Sequence, residues 1–222
     1  MDIPVVKEVL PFLIGCLVLF GALGVGCLFL KWRRTAIVCF ILALLSSCYM
    51  LYFFRDPERT PPPGPDIVVA GADGVIMGIR EMPESQFLKT ETVRISIFLS
   101  LFDVHVNRAP IAGTIKFLKY YPGTRYFTFQ EKSSDYNQHS SILIEGPQTR
   151  CLVNQIVGPV ARRVVYWLEL NQDLALGDRI GMMKFGSRLD MYLPAADVEV
   201  VVKKGDKVKA GLTIVARIKP KP

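Results

Sequence analysis

Cysteine and histidine are scarce in the later part of this 222-residue chain, which limits its chemistry. Four of the five cysteines lie before residue 55, so Cys151 alone remains for the rest of the chain. One cysteine supports neither a disulfide framework nor a zinc site built on cysteine pairs, and we predict no metal site. The basic residues form no arginine-rich run with interleaved aromatics, which argues against a nucleic-acid partner.

Charge is missing from two long stretches near the start of the chain. Val9–Leu30 covers 22 residues and Thr35–Phe54 covers 20, and neither contains a charged side chain. Each is longer than the roughly 18 apolar residues that indicate a membrane helix. The first stretch is too long for a secretory signal and has no clear small-residue cleavage site. We therefore predict that residues 1–54 form a two-helix hydrophobic hairpin that anchors the protein in the cell membrane.

The basic residues around the hairpin do not decide its orientation. The positive-inside rule places Lys31–Arg34 in the cytoplasm, whereas Lys7, Arg55 and Arg59 favour both chain ends on that side. A hairpin that dips into one leaflet would satisfy both sets of charges. We expect the soluble domain on the cytoplasmic face, where its basic excess suits an anionic bilayer surface.

Proline ends the helical pattern after the hairpin. Residues 55–65 are a proline-rich linker that leads away from the membrane. Residues 66–222 have no strong 3.6-residue amphipathic pattern, and short β-branched segments such as "RYFTFQ" (125–130) are separated by turn signals. We predict an all-β soluble domain, a sandwich or barrel. Its glycine-punctuated strands, as in "KKGDKVKAG", resemble lipoyl-type barrel-sandwich elements, although Gly-Asp is also a common hairpin turn.

The stretch "MKFGSRLDMYLP", Met183–Pro194, places a Gly-Ser pair between two segments of alternating hydrophobicity. The pair is either a tight turn or a site where the backbone itself reacts. As a conventional nucleophile, Ser187 needs a histidine oriented by a carboxylate, and it lacks the Gly-x-Ser-x-Gly elbow. His105 is a stronger candidate base than His139, which lies in a polar loop. The candidate carboxylates are Asp73, Asp103 and Asp190.

A different chemistry suits a Gly-Ser bond better. The Ser187 hydroxyl can attack the carbonyl carbon of Gly186 and convert the amide into an ester, and glycine offers no Cβ to hinder the attack. β-Elimination of the ester leaves a dehydroalanine, which hydrolyses to a pyruvoyl group. Such a ketone can form a Schiff base with an amine and act as an electron sink, as pyridoxal phosphate does.

Five segments spread over almost the whole chain form a specific set of motifs. They are "FFRDPER", "ADG", "FDVHVNRAPIAG", "GDRIGMMKFGSRLDMYLP" and "GDKVKAG". Together they resemble the short, membrane-anchored form of the phosphatidylserine decarboxylase proenzymes. The resemblance implies a pyruvoyl-dependent carboxy-lyase that cleaves itself between Gly186 and Ser187. It implies a large chain, 1–186, and a small chain, 187–222, that stay associated as a heterodimer, with the pyruvoyl cofactor derived from Ser187.

In that family, self-cleavage is attributed to an Asp-His-Ser arrangement, which the resemblance carries to Asp73, His105 and Ser187. Longer members have a second histidine in the segment that matches "VHVNRAP", at the position of Arg108 in this chain. Either His105 serves both cleavage and decarboxylation, or another group assists. The implied substrate is phosphatidylserine in the bilayer, which loses carbon dioxide to give phosphatidylethanolamine, with His105 as candidate proton donor.

The lipid contacts and three alternative functions stay open at this point. Candidates for binding the lipid phosphate or carboxylate are Arg108, Arg55 and Arg59. The same chemistry on an archaeal-type serine ether lipid is one alternative. A non-enzymatic barrel-sandwich adaptor explains the hairpin but not "FGSRLD", and the chain lacks the coiled-coil heptads of such adaptors. A membrane serine hydrolase would keep Ser187 in an uncleaved chain. Assembly into a higher oligomer is also left open.

Overall fold

The computed structural model describes residues 4–124, 126–128, 137–158, 164–184 and 187–220. The chain divides into two compact units, Met1–Glu58 and Arg59–Pro222. The first unit is helical and the second is built from β-strands. This arrangement confirms the prediction of an all-β domain with an N-terminal helical hairpin.

The first unit is a pair of apolar helices that cover most of the two uncharged stretches of the sequence. Helix α1 spans Leu10–Phe29 and helix α2 spans Arg33–Phe53. A glycine allows the two helices to pack closely, because a Cβ atom at Gly24 would lie 2.8 Å from Cε1 of Phe40. Both helices are long and apolar enough to cross a membrane.

The second unit contains fourteen strands within the described residues. They are β1 (Ile67–Val69), β2 (Gly74–Glu84), β3 (Thr90–Leu99), β4 (Val106–Arg108), β5 (Gly113–Tyr121), β6 (His139–Glu145), β7 (Arg150–Val157), β8 (Val164–Tyr166), β9 (Asp173–Leu174), β10 (Arg179–Met183), β11 (Ser187–Pro194), β12 (Val198–Val200), β13 (Lys207–Val208) and β14 (Ile214–Ile218).

These strands form three sheets, and all their ladder pairings are antiparallel. The largest sheet has eight strands in the order β13-β2-β3-β11-β7-β6-β5-β9. Two three-stranded sheets have the orders β1-β14-β12 and β4-β10-β8. Strand β11 therefore lies inside the large sheet, paired with β3 on one side and β7 on the other.

One predicted strand is absent from the residues that the structure describes. Of the segment 125–130, residues 126–128 are outside any strand, and the rest lies outside the described residues. The backbone of Tyr126 is bound by a side chain instead of a neighbouring strand. Its N–H donates to Oδ1 of Asn137 at 2.8 Å, and its carbonyl accepts from Nδ2 of the same residue at 2.7 Å. The alternation of polar and aromatic residues was therefore a misleading signal here.

Strand β11 separates the hydrophobic core from a polar layer. Leu189 and Met191 are fully buried in the main core, while Arg188 and Asp190 lie on the opposite face because side chains alternate along a strand. These two polar residues form a buried ion pair, with Arg188 Nε 2.7 Å from Asp190 Oδ1 and Nη2 3.0 Å from Oδ2. Arg188 Nη2 also donates to Oγ of Ser96 on β3 at 3.0 Å, which links the two strands.

We predict that Asp190→Asn destabilises the fold strongly, because it leaves the buried guanidinium of Arg188 without its counter-charge. Breaking a buried pair on one side costs about 3–5 kcal/mol. For a domain of this size, that loss lowers Tm by roughly 10 °C. Thermal unfolding of the full chain in detergent measures the change. The control is Glu199→Gln, which alters an exposed carboxylate; equal Tm values for the two variants would contradict the prediction.

Candidate active site

Ser187 is the first residue of β11, and the strand that precedes it in sequence, β10, belongs to a different sheet. Strand β10 ends at Met183 and pairs with β4 and β8, whereas β11 begins at Ser187 and pairs with β3 and β7. The two strands do not pair with each other, so β10 and β11 do not form a β-hairpin. Gly186 itself, with Phe185, lies outside the described residues.

Ser187 is fully buried at the first position of β11. It pairs with Leu99 of β3 and with Val157 of β7, so its backbone is held on both sides. Its Oγ atom has no hydrogen-bond partner among the described residues. A buried hydroxyl without a partner costs about 1–3 kcal/mol and calls for an explanation. A reactive role is such an explanation.

His105 adjoins the segment that leads to the Gly-Ser pair. The residue is fully buried in the connection between β3 and β4, and its carbonyl accepts a hydrogen bond from the Met183 N–H at 3.3 Å. Its Nδ1 lies 2.9 Å from the carbonyl oxygen of Asp103. Because a carbonyl can only accept, Nδ1 carries the proton in this bond, and in the neutral form of the ring the lone pair is then on Nε2. The imidazole is thus oriented as a potential base.

The other histidine and two of the candidate carboxylates have different roles. His139 stacks on Tyr121 with ring centroids 4.8 Å apart, and its place in the register puts it on the face of the sheet opposite Ser187. Asp103 Oδ2 accepts from the N–H and the Oγ of Ser100 at 2.8 and 2.6 Å, so its carboxylate stabilises a turn. Asp190 is engaged by Arg188 on the polar face.

The carboxylate of Asp73 is bound by Arg59, a residue that was predicted from the sequence as a candidate lipid contact. Arg59 binds the carboxylate through both terminal nitrogens, with Nη1 2.5 Å from Oδ1 and Nη2 2.9 Å from Oδ2. In the described part of the chain, Asp73 makes no hydrogen bond to His105 or Ser187. Strand β3 separates Asp73 from Ser187, which puts their backbones roughly 10 Å apart at two strand spacings.

Arg108 is buried within the fold. Its Nη1 donates to the carbonyl of Gly177 at 3.0 Å, and its backbone N–H donates to the carbonyl of Gly71 at 2.9 Å. Gly71 is two residues before Asp73, so Arg108 supports the backbone that leads to the aspartate. Contact of Arg108 with the lipid stays a prediction.

Cys151 contributes no reactive thiolate. It is fully buried on β7, and burial raises the pKa of its thiol well above the ordinary value. The thiol therefore remains protonated, in agreement with its omission from the candidate chemistry.

The site thus has two parts in the described residues. His105 is hydrogen-bonded to Met183, where the segment 183–187 begins, and Ser187 is the last residue of that segment. Asp73 belongs to a second group with Arg59, and this pairing was missed in the sequence. Little in the sequence indicates the pairing of Arg59 with Asp73. An arginine in a proline-rich linker has the same sequence context whether it binds a buried carboxylate or lies on the surface.

Comparison with known sequences identifies the family of this chain. The family described as phosphatidylserine decarboxylase matches residues 48–216. A protein of Carboxydothermus hydrogenoformans, named phosphatidylserine decarboxylase proenzyme, is 42% identical over 179 residues, which cover 81% of this chain and 84% of the relative. A protein of the same name from Desulfotalea psychrophila is 40% identical over 221 residues, 98% of each chain. A third, from Symbiobacterium thermophilum, is 38% identical over 215 residues. The chain therefore belongs to the phosphatidylserine decarboxylase family of carboxy-lyases.

Proposed function

We propose that this chain is a membrane-anchored proenzyme that cleaves its own Gly186–Ser187 bond and then decarboxylates phosphatidylserine to phosphatidylethanolamine. The observation that carries the proposal is the buried hydroxyl of Ser187, which has no hydrogen-bond partner among the described residues. Within the described residues, the hydroxyl therefore takes no part in the hydrogen bonds that hold the sheet together. Family membership supports the same activity.

Cleavage starts at the hydroxyl of Ser187. Its oxygen attacks the carbonyl carbon of Gly186 while a base takes the hydroxyl proton, and we assign that base to Nε2 of His105. The C–N bond breaks and the nitrogen takes up a proton, which leaves an ester and a free amine on residue 187. Removal of the α-proton then expels the Gly186 carboxylate and creates a dehydroalanine. Its imine tautomer is hydrolysed by one water with loss of ammonia, which leaves a pyruvoyl group.

The pyruvoyl group supplies an electrophilic carbonyl that can accept the electrons released when an amino acid headgroup loses carbon dioxide. The residues present fit its formation, because the hydroxyl that generates it is already in place at the start of β11. The carbon that loses carbon dioxide must gain one proton, and His105 is the donor that we propose. The buried surroundings of Ser187 exclude bulk water from the reaction.

The fold supports continued association of the two chains after cleavage. Residues 187–222 contain β11, which pairs with β3 along its whole length and with β7 over most of it. They also contain β14, which pairs with β1 of the large chain. Separation would break the pairing on both edges of β11 and on the β1 edge of β14, so the products remain a heterodimer. Nothing in this arrangement requires a higher oligomer.

The N-terminal hairpin supports a lipid substrate. A membrane anchor confines the soluble unit to the layer that holds the headgroups, which raises the effective concentration of substrate. The formal net charge of +7 favours anionic lipid surfaces. We propose the cytoplasmic face of the cell membrane as the location of the soluble unit. We also propose the boundaries 1–54, 55–65 and 66–222 for anchor, linker and catalytic domain.

We predict that Ser187→Ala abolishes both chain cleavage and decarboxylation, because it removes the attacking oxygen and the source of the pyruvoyl group. Gel electrophoresis of the purified protein follows cleavage, and release of labelled carbon dioxide from carboxyl-labelled phosphatidylserine vesicles follows activity. The control is Ser141→Ala, which alters another buried serine of the same sheet and leaves both readouts unchanged. Cleavage or activity in Ser187→Ala would contradict the proposal. Activity of the wild type on serine ether lipids alone would show that those lipids are the substrate.

We predict that His105→Gln slows the appearance of the two chains by about 100-fold or more, the usual contribution of a positioned base. The measurement is the rate of precursor disappearance after pulse labelling. The matched control is His139→Gln, which removes the histidine on the opposite face of the sheet and leaves the rate unchanged. Equal rates for the two variants would show that another group serves as the base.

A further inference from the structure

Arg59 joins three parts of the soluble unit at one buried point. Besides its two bonds to the Asp73 carboxylate, its Nη1 donates to the carbonyl of Ala210 at 2.7 Å. The N–H of Ala210 in turn donates to Oδ1 of Asp73 at 2.7 Å. The Arg59 and Asp73 side chains are only 5% and 11% exposed. A bidentate pair of this kind fixes the orientation of the carboxylate as well as its position.

This cluster spans the proposed cleavage junction. Arg59 comes from the linker that follows the hairpin, and Asp73 immediately precedes β2, so both belong to the large chain. Ala210 precedes β14 and belongs to the small chain. Arg59 therefore holds one residue from each side of the bond that is cleaved.

The backbone before Asp73 connects the cluster with both ends of the reacting segment. The carbonyl of Gly71 accepts from the N–H of Arg108 on β4, the strand that directly follows His105. Gly71 also lies against Leu189, since a Cβ atom at Gly71 would be 3.1 Å from Cδ2 of that leucine. Leu189 is two residues after Ser187 on β11. A shift of this backbone would displace β4 and β11 together.

We propose that Arg59 is a positioning residue for self-cleavage, an inference that rests on the proposed function above. Within the described residues, Arg59 makes no hydrogen bond to the Ser187 hydroxyl or to Nε2 of His105. It holds Asp73 and the turn at Ala210 in the arrangement that aligns Ser187 with the bond to be broken. Because Arg59 belongs to the linker, maturation depends on docking of the linker against the β-domain. Its bonds to Asp73 and Ala210 also give it a function other than lipid binding.

The test compares cleavage rates of full-length precursors made by cell-free synthesis in the presence of detergent micelles. We expect Arg59→Gln to slow cleavage by about 10- to 100-fold, the usual effect of a small misplacement of reacting groups. Arg59→Lys should recover part of the rate, because an ammonium keeps the charge but loses the bidentate fork. The matched control is Arg217→Gln, which removes an exposed arginine of β14 and leaves the rate unchanged.

A second measurement separates positioning from a general loss of stability. Thermal unfolding is compared for Ser187→Ala and for the double variant Arg59→Gln/Ser187→Ala, neither of which is expected to cleave. Slow cleavage by a precursor that is still folded, with partial recovery in Arg59→Lys, supports the proposal. A wild-type cleavage rate in Arg59→Gln overturns it, and so does slow cleavage from an unfolded precursor that Arg59→Lys fails to restore.

These outcomes are distinct from failure of the proposed function. If wild type does not cleave, or if Ser187→Ala does, the self-cleavage mechanism itself is wrong. If wild type cleaves, Ser187→Ala does not, and Arg59→Gln matches wild type, only the role of Arg59 is rejected.

Discussion

The pairing of β11 on both sides is the constraint on which the rest of the structure depends. Its partners β3 and β7 hold Ser187 in the interior of the large sheet, where the hydroxyl is shielded from water and has no hydrogen-bond partner among the described residues. The pairing of the sheet offsets the free-energy cost of burying that hydroxyl, so a stable fold can contain it. In the proposed mechanism, the same pairing would retain the small chain once the backbone is cut immediately before β11.

Around this strand, polar groups are distributed according to the alternation of the sheet. The inward face of β11 contributes apolar side chains to the core, and Ser187 belongs to this face. The outward face carries the ion pair of Arg188 and Asp190, which is satisfied within the strand and with Ser96. The carboxylate of Asp190 therefore lies on the face of the sheet opposite Ser187. The backbone before Asp73 is bound to β4 through Gly71 and Arg108, and Arg59 binds both the Asp73 carboxylate and the carbonyl of Ala210.

The sequence allowed the hairpin and the all-β class to be predicted, for identifiable reasons, whereas the reactivity of Ser187 stays a prediction. Long uncharged runs have few stable alternatives to membrane helices, and the Gly-Ser pair stands out because alternation stops and resumes around it. The partner of Asp73 was not predictable in this way. Arg59 is only 14 residues from Asp73, but Ala210, which completes the cluster, is 137 residues from Asp73, and only the folded sheets bring it there. The segment 125–130 is an error of the opposite kind, because alternation predicted a strand there. In the described residues, the side chain of Asn137 binds the backbone N–H and carbonyl of Tyr126.

Intact-mass spectrometry of the purified wild-type protein tests the central claim most directly. The account predicts two fragments, residues 1–186 and 187–222, with the smaller one lighter by the mass of ammonia than a peptide beginning with a free serine. Reduction with borohydride should add two hydrogens to the smaller fragment, as expected for a ketone at its amino terminus. A single chain of full mass that persists on incubation would contradict the account, and so would a smaller fragment with an unmodified amino-terminal serine.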